Sequence, residues 1–165
     1  MSPSVRRQLL FEAGTHLLAA DARQVCEVRE PVEVTPVPGC VPGVLGLINL
    51  RGALIVAGEL SRLLGFESER TEDTAVVVLE EDGCQIALEV DRVVGVSTDV
   101  SKELDVDGDL LEALGARDVV VGVGRYETRP YFLLDVKAIF ARVLERDDDP
   151  DRVMQLGSIG RWERQ

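Results

Sequence analysis

The sequence predicts a mostly β fold, made of small barrels or a sandwich. Three observations predict it. Short apolar runs, many of them β-branched, are punctuated by glycine and proline along the whole chain. Asp82-Gly83 separates two such runs as a tight hairpin turn does. The two halves of the chain also repeat one another.

Residues 9–28 hold short apolar runs broken at Gly14 and at Ala20-Asp21-Ala22. Val32, Val34 and Val37 follow among prolines. Residues 44–56 are nearly continuous in apolar character, with Gly46 and Gly52 as punctuation. Residues 74–79 form a β-branched run, and the strand pattern resumes at 84–96 after the Asp-Gly turn. Residues 119–123 and 131–134 are the last strands expected. Two segments read as helix. Residues 59–64 are short and stop at Gly65; residues 136–146 place Val136, Ile139, Phe140, Val143 and Leu144 on one face, behind Asp135 as N-cap. Asp147-Asp148-Asp149-Pro150 ends that helix, because an acidic run opposes the helix dipole at a C-terminus.

The repeat aligns residues 18–28 with 86–96 without a gap, and 55–60 with 131–136. Gly46 and Gly122 fall at matching places ahead of the second pair. Each half is about 60 residues, too small to be robust alone. Two halves of roughly 9–66 and 75–146 are therefore expected to share one core, with a groove where they meet.

The chain has 165 residues, which fits one domain. Its 18 Lys and Arg against 30 Asp and Glu leave a net charge of −12, which argues against nucleic acid or an anionic membrane surface as partner. No apolar stretch is long enough to span a membrane, and the N-terminus lacks a secretory core, so a cytoplasmic protein with no direct membrane insertion is expected. Cys26, Cys40 and Cys84 are far apart and read as reduced thiols. Their valine-rich surroundings predict small buried hydrophobes. With His16 as the only histidine, the chain lacks the spacing of a structural zinc site.

Catalytic signatures fail one by one. There is no phosphate-binding Gly-Lys loop, and the motif around Gly122-Val-Gly124 does not continue as a dinucleotide fingerprint. Gly157-Ser158-Ile159-Gly160 lacks the spacing of a nucleophile elbow. Asp105, Asp107 and Asp109 lack the glycine position and the twelfth-position glutamate of a calcium loop. His16 reads as a strand residue rather than a general base. Glu89 and Asp91 alternate, which places both on one strand face as a solvated or ion-paired set. No cofactor is expected.

The distinctive stretch is residues 41–56, where Asn49 and Arg51 interrupt an apolar strand and Gly52 permits a positive-φ turn or bulge. A guanidinium aimed out of a sheet there suits a protein interface, because its fork pairs carboxylates bidentately. Gly46-Leu-Ile-Asn-Leu-Arg-Gly52, Val90-Asp-Arg-Val93 and Leu133-Leu-Asp-Val136 stand in the order found in CheW-type chemotaxis coupling proteins, and the chain resembles that family from Leu9 to Leu144. The resemblance implies two five-stranded SH3-like barrels sharing a hydrophobic core, with a C-terminal helix. It also implies a non-catalytic adaptor between the cytoplasmic tips of transmembrane chemoreceptors and the regulatory domain of a CheA-type histidine kinase, recruited to membrane-bound receptor arrays, with other CheW-like proteins as further partners. The receptor tip would dock in the groove between the barrels, and the barrel ends would contact the kinase.

By the same resemblance, Val25 and Glu27 match a strand lining the receptor side, Arg51 matches an arginine tied to receptor binding, and Gly46 lies close to partner surfaces. Asn49 and Gly52 would place Arg51. One departure stands out: the family's Pro-Val-Ile-Asp-Leu reads Val56-Ala-Gly-Glu-Leu60 here. Gly58 in a strand weakens packing or marks a bulge. It leaves open a divergent paralogue that scaffolds another pathway by self or paralogue association without kinase contact. The tail, 147–165, lies beyond the resemblance and offers Trp162 as an anchor if it docks anywhere.

Overall fold

The computed structural model describes residues 6–68, 70–98 and 118–144. The expected tail, the aspartates at 105–109 and the end of the last helix at 145–146 lie outside the described residues.

Ten strands make two five-stranded sheets. The first sheet contains β1 (Gln8–Ala13), β2 (His16–Asp21), β8 (Arg92–Ser97), β9 (Val120–Tyr126) and β10 (Arg129–Leu134), in the order β8-β1-β2-β10-β9. The second contains β3 (Val25–Arg29), β4 (Val44–Leu50), β5 (Ala53–Glu59), β6 (Ala75–Glu81) and β7 (Cys84–Val90), in the order β3-β6-β7-β5-β4. Two helices, α1 (Leu60–Leu63) and α2 (Val136–Leu144), follow β5 and β10. The sheets do not follow the halves 9–66 and 75–146. After β2 the chain crosses to the second sheet as β3, and after β7 it crosses back as β8. The first sheet thus joins β1 and β2 of one half to β8, β9 and β10 of the other, and the second joins β3, β4 and β5 to β6 and β7, which ties the two halves together.

The repeat is visible in the strand register. β2 and β10 run parallel with Leu18 opposite Phe132, while β7 and β5 run parallel with Ile86 opposite Val56. Gly122 pairs with Leu133 as Gly46 pairs with Ala57. A register shift follows at the matching place in both ladders, between Val44 and Gly46 and between Leu133 and Leu134.

The near-continuous apolar runs follow from burial on both strand faces. In β1, Leu9 and Phe11 point into the core shared between the sheets, and Leu10 points into the first barrel. In β6, Val77 and Leu79 point into the shared core, and Val76 and Val78 into the second barrel. The apolar faces of α1 and α2, including Leu60 and Ile139, both 0% exposed, complete the shared core. Cutting Leu60 to alanine there would cost about 3 kcal/mol.

Local chemistry sets the helix ends. The Asp135 carboxylate accepts a hydrogen bond from the Ala138 N–H at 3.3 Å, the expected N-cap. Gly65, at φ 83°, ends α1. The Gly58 departure is absorbed by packing. Gly58 is an ordinary residue of β5, and a Cβ there would stand 3.0 Å from the Leu63 side chain, so glycine makes room for α1 to seat.

Two expectations are corrected. Cys26, Cys40 and Cys84 are all exposed. Cys26 is on the outward side of edge strand β3, and Cys84 directly follows the Asp82-Gly83 turn, so valine neighbours in sequence do not mean burial. Residues 84–96 are not one strand: Asp91 is the bend where the chain changes sheet, its carboxylate accepting the Gly14 N–H at 2.8 Å. Asp91 lies just past the end of β7, yet it and Glu89 line one pocket, and Glu89 is ion-paired with Arg70 at 2.9 Å.

Candidate partner-binding site

The second sheet rolls up so that its edges, β3 and β4, approach one another. Residues 30–36, which leave β3, lie along this seam: Thr35 and Leu47 exchange backbone hydrogen bonds at 2.8 and 2.9 Å, and Val32 and Val34 pack on the barrel interior. Gly46 permits the approach. It adopts φ 143°, and a Cβ there would stand 2.1 Å from the Thr35 carbonyl oxygen. Gly46 is thus a buried packing residue of the seam rather than part of a surface.

At the end of the seam, β4 turns into β5 through Arg51 and Gly52, at φ 54° and 86°. Two consecutive positive φ values are what a type I′ hairpin turn requires, so of the turn and bulge that the sequence allowed, the turn is found. Arg51 is a strained choice for the first position, where a side chain costs about 1 kcal/mol or more relative to glycine. Asn49 holds the turn: its side-chain oxygen accepts the Gly52 N–H at 2.8 Å. The Arg51 side chain stands 78% exposed and donates to Glu27 of β3 at 2.9 Å. The Asn49–Gly52 hydrogen bond lies within the turn that carries Arg51, and Glu27 meets Arg51 across the seam. Val25 does not join this group; it packs against the shared core.

Sequence reasoning missed Arg29, two residues along β3 from Glu27 and 4.0 Å from its carboxylate. The period-2 spacing from Glu27 was its only signal. It also missed Leu54, opposite Asn49 in the hairpin and 39% exposed.

The expected groove is present but separate. A cleft of about 610 Å³ opens between the β1–β2 turn and α1, lined by Gly14, Thr15, Glu59, Arg62, Phe66, Glu67, Ser68 and Asp91. None of these belongs to the Arg51 seam. His16 is a strand residue, as expected, the first of β2, and it stacks on Phe66 with ring centroids 4.0 Å apart. Glu59 accepts hydrogen bonds from the Ser61 and Ser68 hydroxyls at 3.3 and 3.2 Å. Glu89, opposite Glu59 in the β5–β7 ladder, is held above its ordinary pKa by burial, against the pull of Arg70. Among the described residues, no group of three or more His, Cys, Asp or Glu is placed to hold a metal, and no helix is long and apolar enough to cross a membrane.

Residues 7–144 match the family model described as the CheW-like domain. The chain belongs to the CheW-like family. It is 27% identical over 139 residues to a chemotaxis protein CheW of Thermotoga maritima, covering 84% of this chain and 90% of that one. It is also 27% identical over 136 residues to a chemotaxis protein CheW of Rhizobium meliloti, covering 82% and 87%. The fold is similar to that of the scaffolding protein TtCheW from Thermoanaerobacter tengcongensis, with a TM-score of 0.67, 21% identity, and coverage of 79% of this chain and 88% of that one. Membership supports a chemotaxis scaffold role and two SH3-like barrels for the two sheets.

Proposed function

We propose that this CheW-like chain is a non-catalytic, cytoplasmic adaptor that couples the tips of transmembrane chemoreceptors to the regulatory domain of a CheA-type histidine kinase within receptor arrays. Other CheW-like proteins are further partners. The observation that carries the reading is Arg51. A charged side chain is held at positive φ on an exposed turn, where glycine would be easier, and a dedicated asparagine fixes the turn. Asp82 and Glu127 hold the same conformation in their own hairpin turns, so it is the exposed guanidinium at the end of the seam, paired among the described residues only to Glu27 across it, that marks Arg51 as the contact residue. Arg51 and Glu27 are the receptor-side residues, Asn49 and Gly52 position Arg51, and Gly46 acts by closing the seam beneath them. Val25 supports β3 from the core. The alternative, self-association without kinase contact, drew on Gly58, and packing against Leu63 accounts for that glycine.

Calorimetric titration with the kinase regulatory domain of the same organism tests the coupling role. Saturable binding with Kd on the order of micromolar to tens of micromolar is expected for a transient signalling contact. Absence of heat at those concentrations, together with a stable dimer by light scattering, would favour the self-associating paralogue.

A further inference from the structure

We propose that Glu27 is a transferable latch between two arginines, and that Arg29 receives its carboxylate when a partner's acidic side chain takes Arg51. The proposal rests on the reading of Arg51 as a contact residue, and it adds a role for Arg29 and a chemistry for the partner.

Glu27 and Arg29 stand two residues apart on β3 and therefore point to the same side. One oxygen of Glu27 accepts from Arg51 at 2.9 Å; the other stands 4.0 Å from the nearest Arg29 terminal nitrogen, beyond hydrogen-bond reach. The Arg29 Nε atom is buried and has no acceptor. A guanidinium keeps its protons at any working pH, so this N–H cannot adapt by ionising. Buried donors without a partner are uncommon enough to need an explanation. Movement of the Glu27 carboxylate toward Arg29 would bring this guanidinium an acceptor and, in the same movement, release Arg51.

Charge complementarity identifies what Arg51 then holds. Arg51 is 78% exposed and its one ion-pair partner among the described residues is Glu27, so its fork is left without an acceptor once Glu27 moves to Arg29. The freed fork is matched by a carboxylate, which it binds through two parallel hydrogen bonds. The partner surface is therefore an Asp or Glu side chain on a docking segment. Glu27 stands in for it in the free protein.

The test begins without a partner. In Arg51→Gln the carboxylate has lost its first holder. The Arg29 Nε–H proton resonance is expected to move downfield, and its solvent exchange to slow roughly fivefold, as one new hydrogen bond gives. In Arg51→Gln with Glu27→Gln neither change occurs. An Arg29 signal that is unmoved in the single variant, or that moves equally in the double, overturns the latch. Binding to a soluble receptor cytoplasmic fragment supplies the second arm. Arg29→Gln should weaken it roughly fivefold, because Glu27 then cannot leave Arg51, and should have no effect in a Glu27→Gln background. Equal weakening in both backgrounds overturns the latch. Failure of the wild type to bind the fragment counts against the receptor reading alone, since the exchange measurement still decides the latch.

Discussion

The two barrels share a ladder register and a bulge position, yet they close their seams differently. In the second barrel, β3 and β4 are joined by a strap paired at Thr35, by Gly46 beneath it and by the Arg51–Glu27 ion pair. In the first, edge strand β8 presents Gly95 where β3 has Glu27, and Tyr126 of β9 lies against it, its hydroxyl 3.6 Å from where a Cβ would be. Tyr131 then covers Gly124, and its hydroxyl donates to Gln8 at 2.5 Å. One seam is closed by aromatic rings over glycines, and the other by backbone pairing with a charged pair at its end. The repeat preserves what strand pairing needs, while the closing residues are free to diverge. The seam that carries exposed ionic chemistry is the one that suits a partner.

The largest effect should come from breaking the strap. Gly46→Ala places a Cβ against the Thr35 carbonyl at an unfavourable φ, and should destabilise by about 3 kcal/mol in urea unfolding. Gly124→Ala forces the Tyr131 ring, 2.3 Å from the new Cβ, to move. A loss of about 2 kcal/mol is expected, and near-UV circular dichroism should report the displaced ring. Tyr131→Phe leaves the ring in place and removes the bond to Gln8, for about 1 kcal/mol by the same urea titration.

A smaller, signed effect separates two carboxylates under acid. Hydrogen bonding from Arg92, with Arg129, holds Glu12 below its ordinary 4.5 against the opposing effect of burial. Its contribution to stability is thus fully present above 4.5 and is lost as pH falls through the lower folded value. Glu89 is shifted the other way, chiefly by burial, so its contribution falls as pH rises from 4.5 through the raised folded value. Stability measured between pH 3 and 7 (roughly the span of these titrations) should lose part of its acid slope in Glu12→Gln and become steeper in Glu89→Gln. A shared direction would mean that one of the two pairings is misread.

Much of this was legible in the sequence. Gapless alignment of residues 18–28 with 86–96 is matched by the pairing of Leu18 with Phe132 and Ile86 with Val56. The Asp82-Gly83 turn, with φ 50° and 80°, and the Asp135 cap were read from local chemistry and found. The placing of β1–β2 with β8, β9 and β10, and of β6–β7 with β3, β4 and β5, was not legible, because a strand's hydrophobic pattern does not name its neighbours. Burial of the cysteines was misjudged for a related reason: an edge strand such as β3 keeps one face in solvent although its sequence is valine-rich. Around the candidate site, Asn49, Arg51 and Gly52 are visible as a polar break in an apolar run. Arg29 is not, since its meaning lies in an unmet hydrogen bond that only three-dimensional placement reveals.

The smallest expected effect on stability is at Arg51, and it carries the central claim. Its ion pair is exposed and contributes little, so Arg51→Glu should leave the melting temperature within about 3 °C of wild type, as a change under 1 kcal/mol implies. The same variant should lose binding to a soluble receptor cytoplasmic fragment in a calorimetric titration that saturates with wild type. Retained binding would remove Arg51 from the receptor contact, and a variant that unfolds would make it a structural residue of the seam.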